Sequence, residues 1–147
     1  MKNTNRPDWD VVWLNIAKII SHRSPDENLK VGCVIVTSDN AVVLANGYNG
    51  SYAGGPNVRE SPEPGKSGFI HAEVNALIKC AYHTRKRKIM YLTHSPCYEC
   101  AKLIINAKIS KVVYLQHYRD IRGVELLNNV GIETIQKELF QDDLLTI

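Results

Sequence analysis

The sequence has no feature of a membrane-spanning or disulfide-stabilised protein. None of its apolar runs approaches the roughly 20 residues that a bilayer-crossing helix requires. The polar segment 1–8 lacks the apolar core of a secretory signal peptide. Only four cysteines occur in the 147 residues, and without an export signal they are not expected to pair as disulfides. We therefore expect a cytoplasmic protein with no membrane partner.

A strong excess of either charge is also missing. The formal net charge is +3, with 22% charged and 44% hydrophobic residues, as in ordinary soluble globular proteins. The one dense basic run, residues 85–88, is interpreted as a solvated loop before a strand, although such runs also contact nucleic acid. No repeat or low-complexity linker divides the chain. We therefore expect one domain over residues 1–147 and no nucleic-acid partner.

A helical pattern begins after Asp8, whose side chain suits an N-cap position, and it runs to about His22. Apolar residues recur in it three and four positions apart. They are Trp9, Val12, Trp13, Ile16, Ala17 and Ile20. Both tryptophans are predicted to pack in the core.

Strand and helix patterns then alternate along the chain. Strands are predicted at 31–37 and 41–45, as a hairpin, and at 89–93, 111–115 and 132–135. Helices are predicted at 71–82, at 97–107 and at 123–129, and a short one in the tail 137–147. In helix 71–82 the buried stripe is Val74, Leu77, Ile78 and Ala81. Strands separated by helices pair in parallel. The prediction is an α/β fold with three α-β-α layers, in which helices cover both faces of a mixed five-stranded sheet.

A long loop, residues 50–69, is rich in glycine, proline and serine. Long loops without secondary structure in compact domains are usually functional or disordered. This loop directly precedes His71, so we interpret it as an active-site loop or a subunit contact.

Two short motifs carry the chemistry: His71-Ala72-Glu73 and Pro96-Cys97-Tyr98-Glu99-Cys100. One histidine and two cysteines are zinc ligands, and three protein ligands leave a fourth coordination position open. Cys97 and Cys100 are three residues apart, so they share one side of a helical turn. Glu73 is then a free carboxylate beside the open position, suited to proton transfer. H-x-E followed by P-C-x-x-C is typical of zinc nucleobase deaminases.

Alternatives to this interpretation remain open. A closed structural zinc site would need a fourth ligand, for which His94 is the candidate, and it would leave Glu73 without a role. Cys33 and Cys80 lie in apolar segments and are interpreted as buried thiols. The other histidines, His22, His83 and His117, are interpreted as surface or helix-end residues.

From about Trp9 to Ile135 the chain resembles the deoxycytidylate (dCMP) deaminase family, which has the cytidine deaminase-like fold. The resemblance is carried by the two motifs and by Val31–Ile35, Gly47-Tyr48-Asn49-Gly50, Asn75 and Tyr118-Arg119-Asp120. It implies hydrolysis of dCMP to dUMP and ammonia, which supplies dUMP for thymidylate synthesis. It also implies one catalytic Zn²⁺ held by His71, Cys97 and Cys100, with Glu73 as the proton shuttle.

The resemblance also implies substrate contacts. Asn49 would bind the sugar and the Ala72 N–H the base carbonyl, and Ser95 would lie at the substrate. Tyr118 and Arg119 are candidates for the 5′-phosphate because arginine suits phosphate geometry. Arg59 and Lys66 in the long loop are alternatives for that contact. The Asn49-Gly50 pair is also typical of a turn residue in the left-handed conformation.

Regulation is implied as well. Many members of the family are homohexamers, activated by dCTP and inhibited by dTTP with Mg²⁺. The regulatory nucleotide would lie near Tyr48, Asn49, Gly50 and Tyr52. The chain departs from the family in having Tyr52 where proline is common. It has no cysteine in 26–30, so a second zinc is not expected.

Two other functions remain open. One is a tRNA adenosine deaminase, which shares the zinc motif but needs an extended basic surface. The other is a catalytically inactive, zinc-stabilised binding module, for which an intact Glu73 has no use.

Overall fold

The computed structural model describes residues 6–80, 85–140 and 143. The elements follow the predicted order α-β-β-α-β-α-β-α-β. They are α1 (Trp9–Ser21), β1 (Gly32–Thr37), β2 (Val43–Tyr48), α2 (Ala72–Leu77), β3 (Lys88–His94), α3 (Tyr98–Asn106), β4 (Ile109–Gln116), α4 (Arg122–Asn129) and β5 (Glu133–Gln136). No helix in these ranges has the length and apolar character that a membrane crossing requires.

The five strands form one mixed sheet in the order β2-β1-β3-β4-β5. β1 pairs antiparallel with both β2 and β3. β3 and β4 pair in parallel, as do β4 and β5, because α3 and α4 supply the crossovers that parallel neighbours need. The predicted mixed sheet is therefore confirmed.

Helices cover both faces of the sheet. Along β1, Val34 and Val36 face α1, where they pack with Leu14 and Ala17. The alternate residues of β1 face the opposite layer, because successive side chains of a strand point to opposite sides. The residues buried in that layer include Cys33, Ile35, Ala72, Ala76, Ala101, Ile104 and Leu127. The α-β-α layering is confirmed, with α1 on one face and the other three helices on the second.

The prediction for the two tryptophans is half wrong. Trp13 is 7% exposed and donates its indole N–H to Asn40 Oδ1 at 3.0 Å. Trp9, in the first turn of α1, is 48% exposed and stacks on Trp13 with 5.2 Å between ring centroids. Stacking therefore takes the place of burial in the core for Trp9, while Val11 and Leu14 fill the core.

Helix α2 is shorter than predicted. It ends at Leu77, and backbone bonds between residues three apart then tighten the chain at Lys79 and Cys80. This turns Ile78 out of the predicted buried stripe, to 73% exposure. Ala81, Tyr82 and His83 lie outside the described residues. Cys33 is fully buried, as predicted, whereas Cys80 is partly exposed.

Two further sequence predictions need correction. β2 starts at Val43 rather than 41, because the turn after β1 extends to Val42, with Asn40 at φ 62°. The basic run is not wholly solvated, since Lys88 is 4% exposed at the start of β3. Its Nζ donates to Ala107 O at 2.7 Å. Most of the predicted tail helix lies outside the described residues.

Gly47 lets α2 lie directly against the end of β2. A Cβ at Gly47 would stand 2.5 Å from Ala72 O and 2.6 Å from Ala76 N, closer than real side chains approach backbone. The first turn of α2, which carries both His71 and Glu73, is therefore fixed against the sheet.

Candidate metal centre and active site

His71, Cys97 and Cys100 meet where two helices begin. His71 is the N-cap residue of α2 and Cys97 that of α3, and Cys100 follows in the first turn of α3. His71 Nδ1 lies 3.3 Å from Cys100 Sγ and 3.6 Å from Cys97 Sγ. Their ligand atoms all lie within 4.8 Å of one another.

These distances fit zinc. A tetrahedral ion with Zn–N of about 2.05 Å and Zn–S of about 2.3 Å requires an N···S separation of about 3.5 Å. The two observed separations bracket that value. Among the described residues no other group of three potential ligands is as close, and His94 is not part of it. The alternative of a closed site with His94 as fourth ligand therefore gains no support.

The charges at the centre favour a metal cation. Hydrogen bonds from the Cys100 thiol, the His71 ring and the Cys100 backbone N–H lower the pKa of the Cys97 thiol to about 4. The hydrogen bond between the Cys97 and Cys100 side chains, together with burial, raises the pKa of the Cys100 thiol. Cys97 is therefore a thiolate at neutral pH, the form that binds metals.

Glu73 lies beside this centre with 4% exposure. Burial raises the pKa of its carboxyl above the ordinary value, and the nearby Cys97 thiolate adds to the rise, while His71 opposes it. A carboxyl whose charged form is disfavoured accepts a proton more readily than an ordinary carboxyl. Such a carboxyl is suited to general acid-base chemistry beside the candidate metal site.

A cavity of about 420 Å³ opens over the centre, within the size range of small-molecule sites. Of the predicted substrate and catalytic residues, those that line it are Asn49, His71, Ala72, Glu73, Ser95, Cys97, Tyr118 and Arg119. Tyr48, Gly50 and Tyr52, predicted to bind a regulatory nucleotide, are not in its lining.

Asn49 is 7% exposed and ties two backbone groups together. Its Oδ1 accepts the Val31 N–H and its Nδ2 donates to Leu29 O, both at 2.8 Å. Its φ is not positive, so the left-handed turn considered as an alternative is wrong. Gly50 instead bonds Ile70 in both directions, N–H to O, at 3.0 and 2.8 Å, and this bridge closes the loop 51–69 at its base.

Ser95 and Arg119 meet the cavity from the ends of β3 and β4. Ser95 Oγ accepts the Tyr118 N–H at 2.7 Å. The Arg119 guanidinium lies 4.7 Å from the centre of the Tyr118 ring and directly against Gly65 at the tip of the loop. Gly65 has φ +77°, and a Cβ there would overlap Arg119 Nη2. Glycine suits this conformation, and a larger residue would displace the Arg119 guanidinium.

Several residues of the cavity wall were not predicted from the sequence, among them Asp26, Phe69 and His117. His117 had been interpreted as a surface or helix-end residue. Asp26 forms an ion pair with Arg59 across 33 positions of sequence. A turn-forming aspartate and a loop arginine carry no local pattern that predicts this pairing.

Residues 7–116 match a family model described as the cytidine and deoxycytidylate deaminase zinc-binding region. This match spans both motifs and the first four strands. The chain belongs to the cytidine and deoxycytidylate deaminase family. Deaminases are hydrolases, and this deaminase is accordingly a hydrolase with a zinc-binding region.

Relatives of this deaminase carry specific names. The chain is 37% identical over 125 residues to the deoxycytidylate deaminase of Mycobacterium phage D29. This match covers 75% of the chain and 96% of the phage protein. The chain is 40% identical over 111 residues to a probable deoxycytidylate deaminase of Caenorhabditis elegans. That match covers 71% of this chain but only 56% of the worm protein.

The fold resembles a solved deaminase structure. The dCMP deaminase of cyanophage S-TIM5, in complex with dCMP and dUMP, superimposes with a TM-score of 0.77 at 31% identity. The match covers 90% of this chain and 98% of the phage chain. Nearly the whole length of that protein is therefore represented here.

Proposed function

We propose that this deaminase converts dCMP and water into dUMP and ammonia, with one zinc ion per subunit, and so supplies dUMP for thymidylate synthesis. The observation that carries the proposal is the buried Glu73 beside three ligands at zinc spacing, on the floor of a nucleotide-sized cavity. Support for dCMP as substrate comes from the names of the relatives and from the cyanophage complex.

The side chains divide the reaction between them. His71, Cys97 and Cys100 would hold the zinc ion, which when bound supplies a Lewis acid that makes water a nucleophile near pH 7. Glu73 would take one proton from the attacking water and give it to the ring nitrogen, and it would then carry the second proton of that water to the amine, which leaves as ammonia while the carbonyl forms. The burial of Glu73 keeps bulk water from competing for these protons.

The substrate is proposed to lie with its base over the centre. The Ala72 N–H, at the first position of α2, has no partner within the helix and would bind the base carbonyl. Asn49 would bind the sugar through the second hydrogen of Nδ2, with Ser95 near the base. Arg119 would bind the 5′-phosphate next to Tyr118, since in the described part of the chain no carboxylate forms an ion pair with it.

Regulation is proposed from the family resemblance. dCTP would activate and dTTP with Mg²⁺ would inhibit a homohexamer, through Tyr48, Asn49, Gly50 and Tyr52. The support in the structure is that Tyr52 is 67% exposed and lies outside the cavity, where a second nucleotide would not compete with the substrate.

The test is an assay of purified, zinc-loaded protein with dCMP. We expect release of dUMP and ammonia, and we expect Glu73→Ala to abolish turnover while zinc content is retained. Glu99→Gln is the matched control, because Glu99 is an exposed carboxylate paired with Lys102 in the first turn of α3. Deamination of a tRNA anticodon stem-loop, with dCMP inert, would overturn the proposal.

A further inference from the structure

Arg59 lies in the middle of the long loop, and every nitrogen of its guanidinium donates a hydrogen bond within the protein. Its Nη1 donates to both carboxylate oxygens of Asp26, at 2.9 and 2.8 Å. Its Nε donates to Ser61 O at 3.1 Å and its Nη2 to Glu63 O at 3.2 Å. Arg59 thus fixes the loop segment 59–63 from within and attaches it to the α1–β1 connector.

Asp26 extends this hydrogen-bond network into the α1–β1 connector. Its side chain is 5% exposed, and its Oδ1 also accepts the N–H groups of Asn28 at 2.9 Å and Leu29 at 3.4 Å. The carbonyl of Leu29 in turn accepts the Asn49 amide. A continuous chain of hydrogen bonds therefore links Arg59 to the side chain proposed to bind the sugar.

The same residues form one wall of the cavity. Asp26, Asn28, Leu29, Asn49 and Arg59 all line it. The positive charge of Arg59 is neutralised by Asp26 at close range, so little of it remains for a substrate phosphate. Arg119, which also lines the cavity, has an aromatic ring rather than a carboxylate as its described partner.

We propose that Arg59 and Asp26 are positioning residues, which hold the substrate-binding wall in place without touching the substrate phosphate. This inference rests on the proposed function for its kinetic consequences. Removing either partner leaves the other as an uncompensated charge in a mostly buried place. The wall then loosens while the metal centre, which is fixed on α2 and α3, keeps its geometry.

Steady-state kinetics with dCMP and with deoxycytidine separate a positioning role from a phosphate contact. We expect Arg59→Gln and Asp26→Asn to raise KM for both substrates by the same factor, roughly tenfold, with kcat retained. Arg59→Lys, which keeps the charge but not the planar fork, should fall between these variants and the wild type. Arg119→Gln should raise KM for dCMP but leave KM for deoxycytidine unchanged.

The matched control removes an exposed ion pair elsewhere. Lys86 and Asp39 are about half exposed and pair at 2.7 Å, so Lys86→Gln should leave both KM values unchanged. A selective loss of dCMP activity in Arg59→Gln would make Arg59 a phosphate ligand and overturn the inference. A lower kcat at unchanged KM would also overturn it, because that is the sign of fewer folded molecules rather than a displaced wall.

Hydrogen exchange tests the inference without an activity assay, and so independently of the proposed function. Hydrogen exchange should rise in segments 26–31 and 50–69 of Arg59→Gln and Asp26→Asn, and stay unchanged in α2 and α3. The double variant should exchange no faster than either single one, since both break the same contact. Uniformly faster exchange would contradict the inference, whereas failure of wild-type protein to act on dCMP would contradict only the proposed function.

Discussion

The cavity has two walls that are built in different ways. On the metal side, His71, Cys97 and Cys100 come from the first turns of two helices packed on the sheet. On the substrate side, the wall is a loop without regular structure, held by Arg59, by the Gly50–Ile70 bridge and by contact with Arg119. The chemistry therefore depends on rigid elements, and the proposed recognition of substrate on contacts between distant parts of the chain.

The largest expected effect follows from removing one ligand on the metal side. Cys97→Ser should abolish stoichiometric zinc binding and lower dCMP turnover by about a thousandfold or more, because the Lewis acid is lost. Zinc content by atomic absorption and the activity assay would measure this. Cys80→Ser is the control, since Cys80 is a partly exposed cysteine outside the cluster. Full activity of Cys97→Ser would contradict a role of the metal side in turnover.

A smaller effect, again on the metal side, tests whether the sheet fixes α2. Gly47→Ala should lower the free energy of unfolding by about 1–3 kcal/mol, as overpacking does, and weaken zinc binding, because the added methyl collides with the backbone of α2. Thermal unfolding with and without zinc would show it. Gly50→Ala meets only ordinary contacts at 3.4 Å or more, so it should leave both quantities nearly unchanged.

The substrate wall should respond differently to a similar change. Gly65→Ala adds about 1 kcal/mol of backbone strain and displaces Arg119. We expect KM for dCMP to rise roughly tenfold, a factor equivalent to about 1.4 kcal/mol of binding, with zinc content and kcat unchanged. Gly54→Ala is matched to it: Gly54 lies in the same loop at φ +80° with no atom within 4 Å of an added Cβ. Equal effects of the two variants would mean that strain alone is responsible.

The smallest expected effect concerns the proposed regulatory surface. Tyr52→Ser should leave stability within about 0.5 kcal/mol and dCMP turnover almost unchanged, because Tyr52 is exposed and outside the cavity. Its response to added dCTP should be reduced. Val58→Ser, at another exposed position of the loop, should respond to dCTP as the wild type does, and an identical response of the two variants would count against a nucleotide site at Tyr52.

The two walls also differ in how far the sequence predicts them. His71, Cys97 and Cys100 lie in short motifs at strand-to-helix junctions, so local pattern and ligand chemistry were sufficient to bring them together. The order of elements, the β1–β2 hairpin and the parallel pairing of the later strands followed from periodicity in the same way, whereas the antiparallel β1–β3 pairing did not. The Asp26–Arg59 pair joins residues 33 positions apart, and no periodicity records such a contact.

The errors within elements have a similar origin. Helical spacing placed Trp9 on the buried face of α1, but tertiary packing leaves it 48% exposed and stacked on Trp13. Ile78 continues the apolar spacing of α2, yet the helix ends before it. Both outcomes depend on tertiary packing, which competes with local pattern and overrides it.

The bridge between Gly50 and Ile70 limits how far changes in the loop 51–69 reach the metal ligands. It brings the two ends of the loop together directly before His71, so residues inserted or removed between 51 and 69 need not shift the metal ligands. Lengthening a closed loop adds only about 0.6 kcal/mol per doubling. The bridge thus separates the loop 51–69 from the metal centre, so the loop can vary in length and sequence while the metal ligands stay in place.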